Sequence, residues 1–438
     1  MQEKRGIRSL ITHLCKMGMI MLASAVAGVL LLTLVYMIPV DGCMKEHAWQ
    51  ALEVFEQEGV FPKLWGENMG SRLDNFTDAL MIQTAVFEGE GSPLERAIEA
   101  GHIQNNPYTA DPVFDLRTQL EGESGTVSEY AKYWHGYLLF LKPLLFLFSY
   151  SQIRMLNGVV QILLVIALMR AMCRRRLGKY ILPFLVSLLA IAIWILPFSM
   201  QNSCMFYIAV IGTLFMVSKY DFIKKYRYIY YMILGISTSF FDFLTYPVVS
   251  VGIPLVFFWL LRNEEGNTLT LKEMLRETFF AGLHWGVGYA GFWAVKWLLG
   301  GALLGGEMLC NTIASLEARS LGDTEQPANS YIVVCLRNVR RLLNLAFCST
   351  AFVYICCCIL RYTKKFYLRI KDNVIFVFLA CIPFAWYFVT RNHADIHIHF
   401  AYRNLWITVF AILCIFRNLI SEIDERRKKV ESYEGKRE

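Results

Sequence analysis

The run from residue 17 to residue 40, MGMIMLASAVAGVLLLTLVYMIPV, decides the fold of this chain, and Asp41 follows it at once. The run contains no charged residue, and about 20 apolar residues are enough for a helix to cross the hydrocarbon core of a bilayer. It is too long for the apolar region of a cleavable signal peptide, so it predicts a first membrane span that is retained. Basic residues precede this run: Lys4, Arg5, Arg8 and Lys16. They predict an N-terminus on the cytoplasmic side.

The composition of the whole chain agrees with a membrane protein. Of 438 residues, 56% are hydrophobic and only 18% are charged. A soluble protein of this length needs a larger charged surface. The net charge of +7 is typical of basic cytoplasmic loops, so we expect membrane lipid and no nucleic acid among the partners.

Apolar runs recur along the chain, and we predict an all-α integral membrane protein with about ten transmembrane helices. The predicted spans are 17–40, 152–172, 181–199, 203–218, 228–245, 247–261, 279–299, 342–360, 373–390 and 401–419. Ten spans place every dense cluster of Lys and Arg on one side, with both termini cytoplasmic. The apolar run 137–150 is short and interrupted by Lys142 and Pro143, so we predict an interfacial helix there.

This pattern divides the chain into four parts. Residues 1–40 form the cytoplasmic N-terminus and the first span, and residues 41–151 form a large extracytoplasmic loop with short helices and the interfacial helix. Residues 152–420 form the helix bundle, with a second outer loop at about 300–341. Residues 421–438 form a charged cytoplasmic tail.

Three carboxylates in or beside the first outer loop are candidate catalytic residues. Asp41 lies where the first span ends, and a carboxylate there has the chemistry of a general base for a hydroxyl. Asp74 and Asp78 lie four residues apart, so they share one face if the segment is helical. Such a pair has the chemistry to divide acid and base roles or to bind a divalent cation. Ordinary structural roles remain open for all three: an interfacial residue at Asp41, a helix cap at Asp74 and a solvated Asp78.

Further candidates lie near the outer ends of later spans. Asp242 lies within an apolar span, where a carboxylate normally faces a polar cavity or a partner, although snorkelling to the interface would also explain it. The turn that starts at Arg391 contains three histidines, and anion binding is the favoured interpretation over a metal site or a plain polar turn. We predict substrate or lipid-phosphate binding for Asp242, Arg391, His393, His397, Tyr402, Arg403, His135 and Lys142. No metal ligand set is predicted, although a divalent cation stays open as a cofactor.

Four blocks of the sequence carry a resemblance to a known class of enzymes: Leu73–Ala79, Tyr133–Tyr137, Phe240–Pro247 and His393–Leu405. Together with the first span, the large first loop and about ten spans, they resemble the GT-C class of membrane glycosyltransferases. The resemblance implies a polyprenyl-phosphate-linked sugar as donor, with Asp41 as the catalytic acid of the first loop and Asp74 and Asp78 as its helpers or as metal ligands. The chain lacks the paired acids that follow the first span in better-known members, and it has no large C-terminal soluble domain.

The expected function is therefore transfer of a sugar from a polyprenyl-phosphate donor to a cell-envelope glycan or lipid. The expected location is the bacterial cytoplasmic membrane. Two alternatives remain from the sequence. A transporter or flippase of lipid-linked saccharides would explain Asp242, and a non-catalytic membrane assembly partner would need none of these residues.

Overall fold

The computed structural model describes residues 2–65, 69–106, 110–123, 125–305, 310, 313, 317, 320, 329–361 and 370–418. The predicted charged tail, 421–438, lies outside these residues. Much of the second outer loop predicted at 300–341 lies outside them as well.

Helices make up most of the structure. The first group is α1 (Gln2–Tyr36), α2 (Gly42–Glu58), α3 (Asn75–Ala85), α4 (Pro93–Glu99), α5 (Pro112–Glu121) and α6 (Leu138–Leu147). The second group is α7 (Tyr150–Arg174), α8 (Ile181–Ala190), α9 (Met200–Ser218), α10 (Tyr220–Phe241), α11 (Val249–Glu264) and α12 (Leu271–Leu304). The third group is α13 (Tyr331–Leu342), α14 (Leu345–Arg361), α15 (Ile370–Ala380), α16 (Ile382–Val389), α17 (Arg391–Ile396) and α18 (Ile398–Ala401). After α18, a 3-10 turn at Tyr402–Leu405 continues into a helix that ends at Asn418.

Residues 42–149, which we call the cap, form a layer of short helices. Aspartate side chains cap three of these helices, Asp41 at α2, Asp74 at α3 and Asp111 at α5, each accepting from a backbone N–H of the first turn, and Ser92 caps α4 in the same way. Such caps satisfy donors that have no partner within the helix. Two short antiparallel strands, β1 (His102–Gln104) and β2 (Thr126–Ser128), complete the cap.

Within the described residues, five helices are long and apolar enough to cross a membrane: Ile11–Tyr36, Tyr150–Arg174, Met200–Ser218, Leu271–Leu304 and Ile398–Asn418. A sixth candidate, α13 with α14, is bent by 84°. These helices support a multi-pass membrane protein, and they do not confirm ten spans. The helix α6 has ten residues, which is too short to cross the hydrocarbon core.

Two of the predicted spans are broken in the structure. The span predicted at 181–199 divides into α8 and a 3-10 helix at Ile193–Phe198, because Ala192 adopts a left-handed conformation with φ of 53°. The span predicted at 373–390 divides between α15 and α16 near Pro383, whose ring cannot continue a helix from the preceding turn.

The helix α11 lies at the centre of the bundle. Every residue from Val249 to Leu261 is buried, which explains why this stretch is apolar on all faces. The end of α11 that follows Pro247 lies next to the cap, and several polar side chains meet there.

Candidate functional site

Four segments meet where the cap touches the bundle, and their polar side chains form a buried cluster that we call the polar centre. The cluster comprises Asp74, Asp78, Gln201, Asn202, Asp242, Tyr246, His393, His399, Tyr402, Arg403 and Asn404. Contacts close a ring through these segments: α3 to α9, α9 to the loop 242–248, this loop to the segment 391–404, and that segment back to α3. Among the residues predicted from the sequence, Asp74, Asp78, Asp242, His393, Tyr402 and Arg403 are brought together here.

Asp78 attaches the cap to the first turn of α9. Its carboxylate accepts from the Tyr150 hydroxyl at 2.7 Å, from the Met200 N–H at 2.9 Å and from the Gln201 N–H at 3.2 Å. Burial raises the pKa of Asp78 to about 6, although these hydrogen bonds oppose the shift. Because its carboxylate is fully occupied by protein donors, the structure gives Asp78 a positioning role at the start of α9.

Asp74 and His399 form a buried pair. The Nε2 atom of His399 lies 3.5 Å from Oδ2 of Asp74, and both side chains are less than a tenth exposed. Burial favours the protonated acid, but interactions with His399 and Thr77 outweigh it and hold the pKa of Asp74 below its ordinary value. Asp74 therefore stays ionised beside the imidazole at an ion-pair distance, and Nε2 of His399 makes no hydrogen bond within the described residues.

Arg403 is fully buried, and its charge has no counter-ion among the described residues. Nε donates to the Ile191 carbonyl at 3.1 Å and Nη1 donates to the His399 carbonyl at 2.8 Å, whereas Nη2 has no hydrogen-bond partner. The neighbouring Tyr402 ring lies 4.9 Å from the guanidinium carbon. An arginine stays charged at all physiological pH values, and an unpaired buried charge is costly. The polar centre therefore favours an anion.

Other buried amides in the polar centre also lack partners. Oε1 of Gln201, Oδ1 of Asn404 and both side-chain polar atoms of Asn202 make no hydrogen bond within the described part of the chain. Each of these side chains is at most 5% exposed. Most buried polar atoms in folded proteins are paired, so this concentration of unpaired atoms is typical of a site that binds a polar ligand or water.

Backbone strain is concentrated at the same place. Of the five described non-glycine residues with positive φ, Ala192 and Leu244 belong to segments that contact the polar centre, and His135 packs beside the loop 242–248. The carbonyl of Leu244 accepts from His393 at 2.6 Å, and Ile191 next to Ala192 accepts from Arg403. Strained conformations of this kind cost about 1–3 kcal/mol each and occur frequently at functional sites.

Two further arginines lie near the polar centre. The guanidinium of Arg72 stacks 3.9 Å above the Phe61 ring and interacts with Asp74. Arg341, in the last turn of α13, interacts with Arg72 and Tyr402. Arg72 therefore places a guanidinium group beside the ionised carboxylate of Asp74, and Arg341 adds a second positive charge near Arg72.

An apolar groove of about 960 Å³ lies on the opposite face of the first turn of α9. Its walls come from α6, α7, α9 and α10, and several wall residues are exposed on the side of the bundle, among them Phe140, Ile211, Phe222 and Ile233. Along α10 it extends from Phe222 to Phe241. The helix is kinked at Tyr226, and its part from Tyr226 to Phe241 is about 22 Å long at the rise of an α-helix. Asp242 follows directly at its end.

Several predicted residues have protein partners that account for them. Asp41 caps α2 at the end opposite Glu58, and a helix of 17 residues separates these ends by about 25 Å. Since Glu58 contacts Asn75 beside Asp74, Asp41 lies away from the polar centre. Its catalytic role remains a prediction.

The carboxylate of Asp242 accepts from the N–H and the hydroxyl of Thr245 in its own loop. His135 bonds to the Tyr130 carbonyl at 2.8 Å, and burial lowers its pKa to about 3. Lys142 lies 5.4 Å from the ring of Tyr36. These three side chains are buried.

The other predicted residues of the turn that starts at Arg391 differ in their surroundings. His393 faces the loop 242–248, whereas His397 is half-buried and stacks on Phe400. Arg391 is half-buried with an unpaired Nε. Among the described residues, no group of three or more His, Cys, Asp or Glu side chains is arranged to hold a metal ion.

Sequence reasoning missed Gln201, Asn202, Asn404, Arg72 and Arg341 as site residues, and it considered His399 only with the other histidines of its turn, as an anion or metal ligand. The sequence shows His399 as the third histidine of the turn, but its contact with Asp74 arises only from tertiary packing. Gln201 and Asn202 stand out in the sequence as two adjacent amides at the start of an apolar helix. In comparisons with protein-family models, curated proteins and solved structures, no match to this chain was found.

Proposed function

We propose that this chain is a membrane glycosyltransferase that moves a sugar from a polyprenyl-phosphate donor to a glycan or lipid acceptor. One observation carries the proposal: the fully buried Arg403 has a free Nη2 and no counter-ion among the described residues, and it lies beside the Asp74–His399 pair. A phosphate group would supply the missing negative charge, and a guanidinium binds phosphate oxygens with well-defined geometry.

The pair Asp74–His399 is the proposed general base. The acceptor hydroxyl attacks the anomeric carbon of the donor sugar, and its proton passes to His399, whose orientation Asp74 holds. The bond between the anomeric carbon and the phosphate oxygen breaks, and the electron pair leaves with the lipid phosphate. Arg403 stabilises the negative charge that develops on this leaving group.

The apolar groove is the proposed site for the polyprenyl chain. Its walls are almost entirely apolar, and it ends beside the first turn of α9, at Met200 and Cys204. The side chains of Gln201 and Asn202 belong to the same turn and to the polar centre. A lipid chain in the groove would therefore place its phosphate at the first turn of α9, and the headgroup would have to reach past this turn to contact Arg403.

The test compares Arg403→Gln, Asp74→Asn and His399→Gln with the unchanged chain in nanodiscs that contain lipid-linked sugar extracted from cells lacking this protein. His397→Gln is the matched control on the same turn. We expect the first three variants to lose transfer about 100-fold or more, as for removal of an acid–base group, with insertion and thermal stability retained. Full transfer in Arg403→Gln would contradict the proposal.

A second experiment distinguishes a transporter from a transferase. The purified chain and the same extracted lipid-linked sugar are incorporated in sealed vesicles. A transporter moves the intact lipid-linked saccharide across the bilayer and leaves the sugar–phosphate bond unbroken. Movement without any bond cleavage, with equal rates in the unchanged chain and His399→Gln, would overturn the assignment as an enzyme.

A further inference from the structure

The helix α13 has two different faces. Val334, Asn338 and Leu342 are buried, and the Nδ2 of Asn338 donates to the Ala394 carbonyl at 3.1 Å, so this face packs on the segment that forms the polar centre. On the opposite face, Ile332 is 68% exposed and Leu336 is 64% exposed. The spacing of four residues places these two side chains on one stripe. Arg340, which is also exposed, continues the same stripe.

The corner between α13 and α14 is fixed by hydrogen bonds. The Nδ2 of Asn344 donates to the Leu189 carbonyl at 2.8 Å, and its Oδ1 accepts from the Phe347 N–H at 2.9 Å in the first turn of α14. The two helices are bent by 84° at this corner. If α14 crosses the bilayer near its normal, α13 therefore lies almost in the plane of the membrane.

We propose that α13 is an interfacial helix that lies in the headgroup layer of the bilayer. Ile332 and Leu336 insert between the upper parts of the acyl chains, and Arg340 lies at the level of the lipid phosphates. A helix with one apolar stripe and basic side chains binds such a surface. The occupant of this face is lipid because α13 is continuous, through a fixed corner, with an apolar helix of the bundle.

This arrangement gives the polar centre an entrance from the membrane surface. Arg341 follows Arg340 on α13 and lies near Tyr402 of the polar centre and near the like charge of Arg72. An anionic group that enters from the headgroup layer along α13 would meet Arg341 before Arg403. The position of α13 does not depend on the proposed transferase activity.

A photoreactive diazirine amino acid tests the proposal at three single positions of the full chain in phosphatidylcholine nanodiscs. Position 336 reports on α13, position 114 on the exposed Phe114 of the cap, and position 159 on the exposed Val159 in the middle of α7. After illumination, mass spectrometry identifies lipid adducts and fragmentation locates the labelled carbons.

We expect position 336 to give lipid adducts on the glycerol and the upper acyl carbons, position 159 to give adducts on the terminal acyl carbons, and position 114 to give none. No lipid adduct at position 336 would overturn the proposal, since α13 would then face water or protein. Adducts at position 336 on the terminal acyl carbons would overturn it as well, because α13 would then pass through the bilayer core.

Discussion

The contact between α10 and α12 depends on glycines that allow two backbones to approach. A Cβ atom added at Gly288 would lie 2.2 Å from the Met232 carbonyl oxygen, whereas ordinary van der Waals contact begins at 3.4 Å. The difference between 3.4 and 2.2 Å means that the two helices must separate by about 1.2 Å. Backbone atoms cannot rotate away as a flexible side chain can, so the full separation falls on the helix pair.

We expect Gly288→Ala to destabilise the protein by about 3 kcal/mol, the upper part of the range for overpacked sites. For a chain of 438 residues, this loss corresponds to a lowering of Tm by about 3 °C. The matched control is Gly286→Ala on the same helix, because a Cβ at Gly286 meets nothing within 4 Å. The Tm of the control should be unchanged or slightly raised, since alanine favours a helix over glycine.

The assay is thermal unfolding of both purified variants and the unchanged chain in one detergent, followed by circular dichroism. Equal Tm values for Gly288→Ala and Gly286→Ala would refute the close packing of α10 on α12. A loss confined to Gly288→Ala would support it. Because α10 ends next to Asp242, this packing also sets the position of the loop 242–248.

Three further predictions concern the cap. The Asp41→Asn variant should keep the proposed transferase activity, because asparagine caps a helix as well as aspartate does. Loss of this activity with normal insertion would instead support the catalytic role predicted from the sequence. The raised pKa of Asp78, about 6 against 3.8, makes the folded state bind a proton more tightly than the unfolded state. The contribution of Asp78 to the free energy of unfolding is therefore fully present below about pH 4. It is lost as the pH rises through 6, and the loss is about 3 kcal/mol at most. The Tm of the unchanged chain should fall over this interval and that of Asp78→Asn should not, and parallel curves would contradict the shift. Lys296→Met should weaken the packing of α4 on α12, because Nζ of Lys296 donates to the Ile98 carbonyl at 2.6 Å. Faster proteolysis within residues 93–99 of the variant would support this contact, and unchanged cleavage would argue against it.

The membrane character of the chain was predictable, and so was part of the polar centre. Asp242 is predicted because a carboxylate in an apolar span needs a partner, Asp74 because it lies four residues from a second carboxylate, and His393 and Arg403 because their turn suits an anion. The structure brings these four residues to one place. Asp41 is predicted from its position at the end of the first span. In the structure its carboxylate caps α2, which begins at Gly42, and this cap explains an aspartate at that position.

The number of spans was not predictable because several apolar stretches do not form single straight helices. The break after α8 depends on the left-handed Ala192, a residue type that carries no sequence signal for that conformation. The helix α13 was predicted as part of an outer loop, although Ile332, Leu336 and Arg340 repeat at helical spacing. The pairing of Asp74 with His399 joins residues more than 300 positions apart, so no local pattern could indicate it.

Binding of polyprenyl phosphate tests the central claim most directly. Native mass spectrometry of the purified chain would compare polyprenyl phosphate with polyprenol, which has the same chain and no phosphate. We expect the unchanged chain to retain the phosphate and to prefer it clearly over the alcohol, and we expect Arg403→Gln to lose this preference. Equal retention of the two lipids by the unchanged chain, or an unchanged preference in Arg403→Gln, would contradict the account.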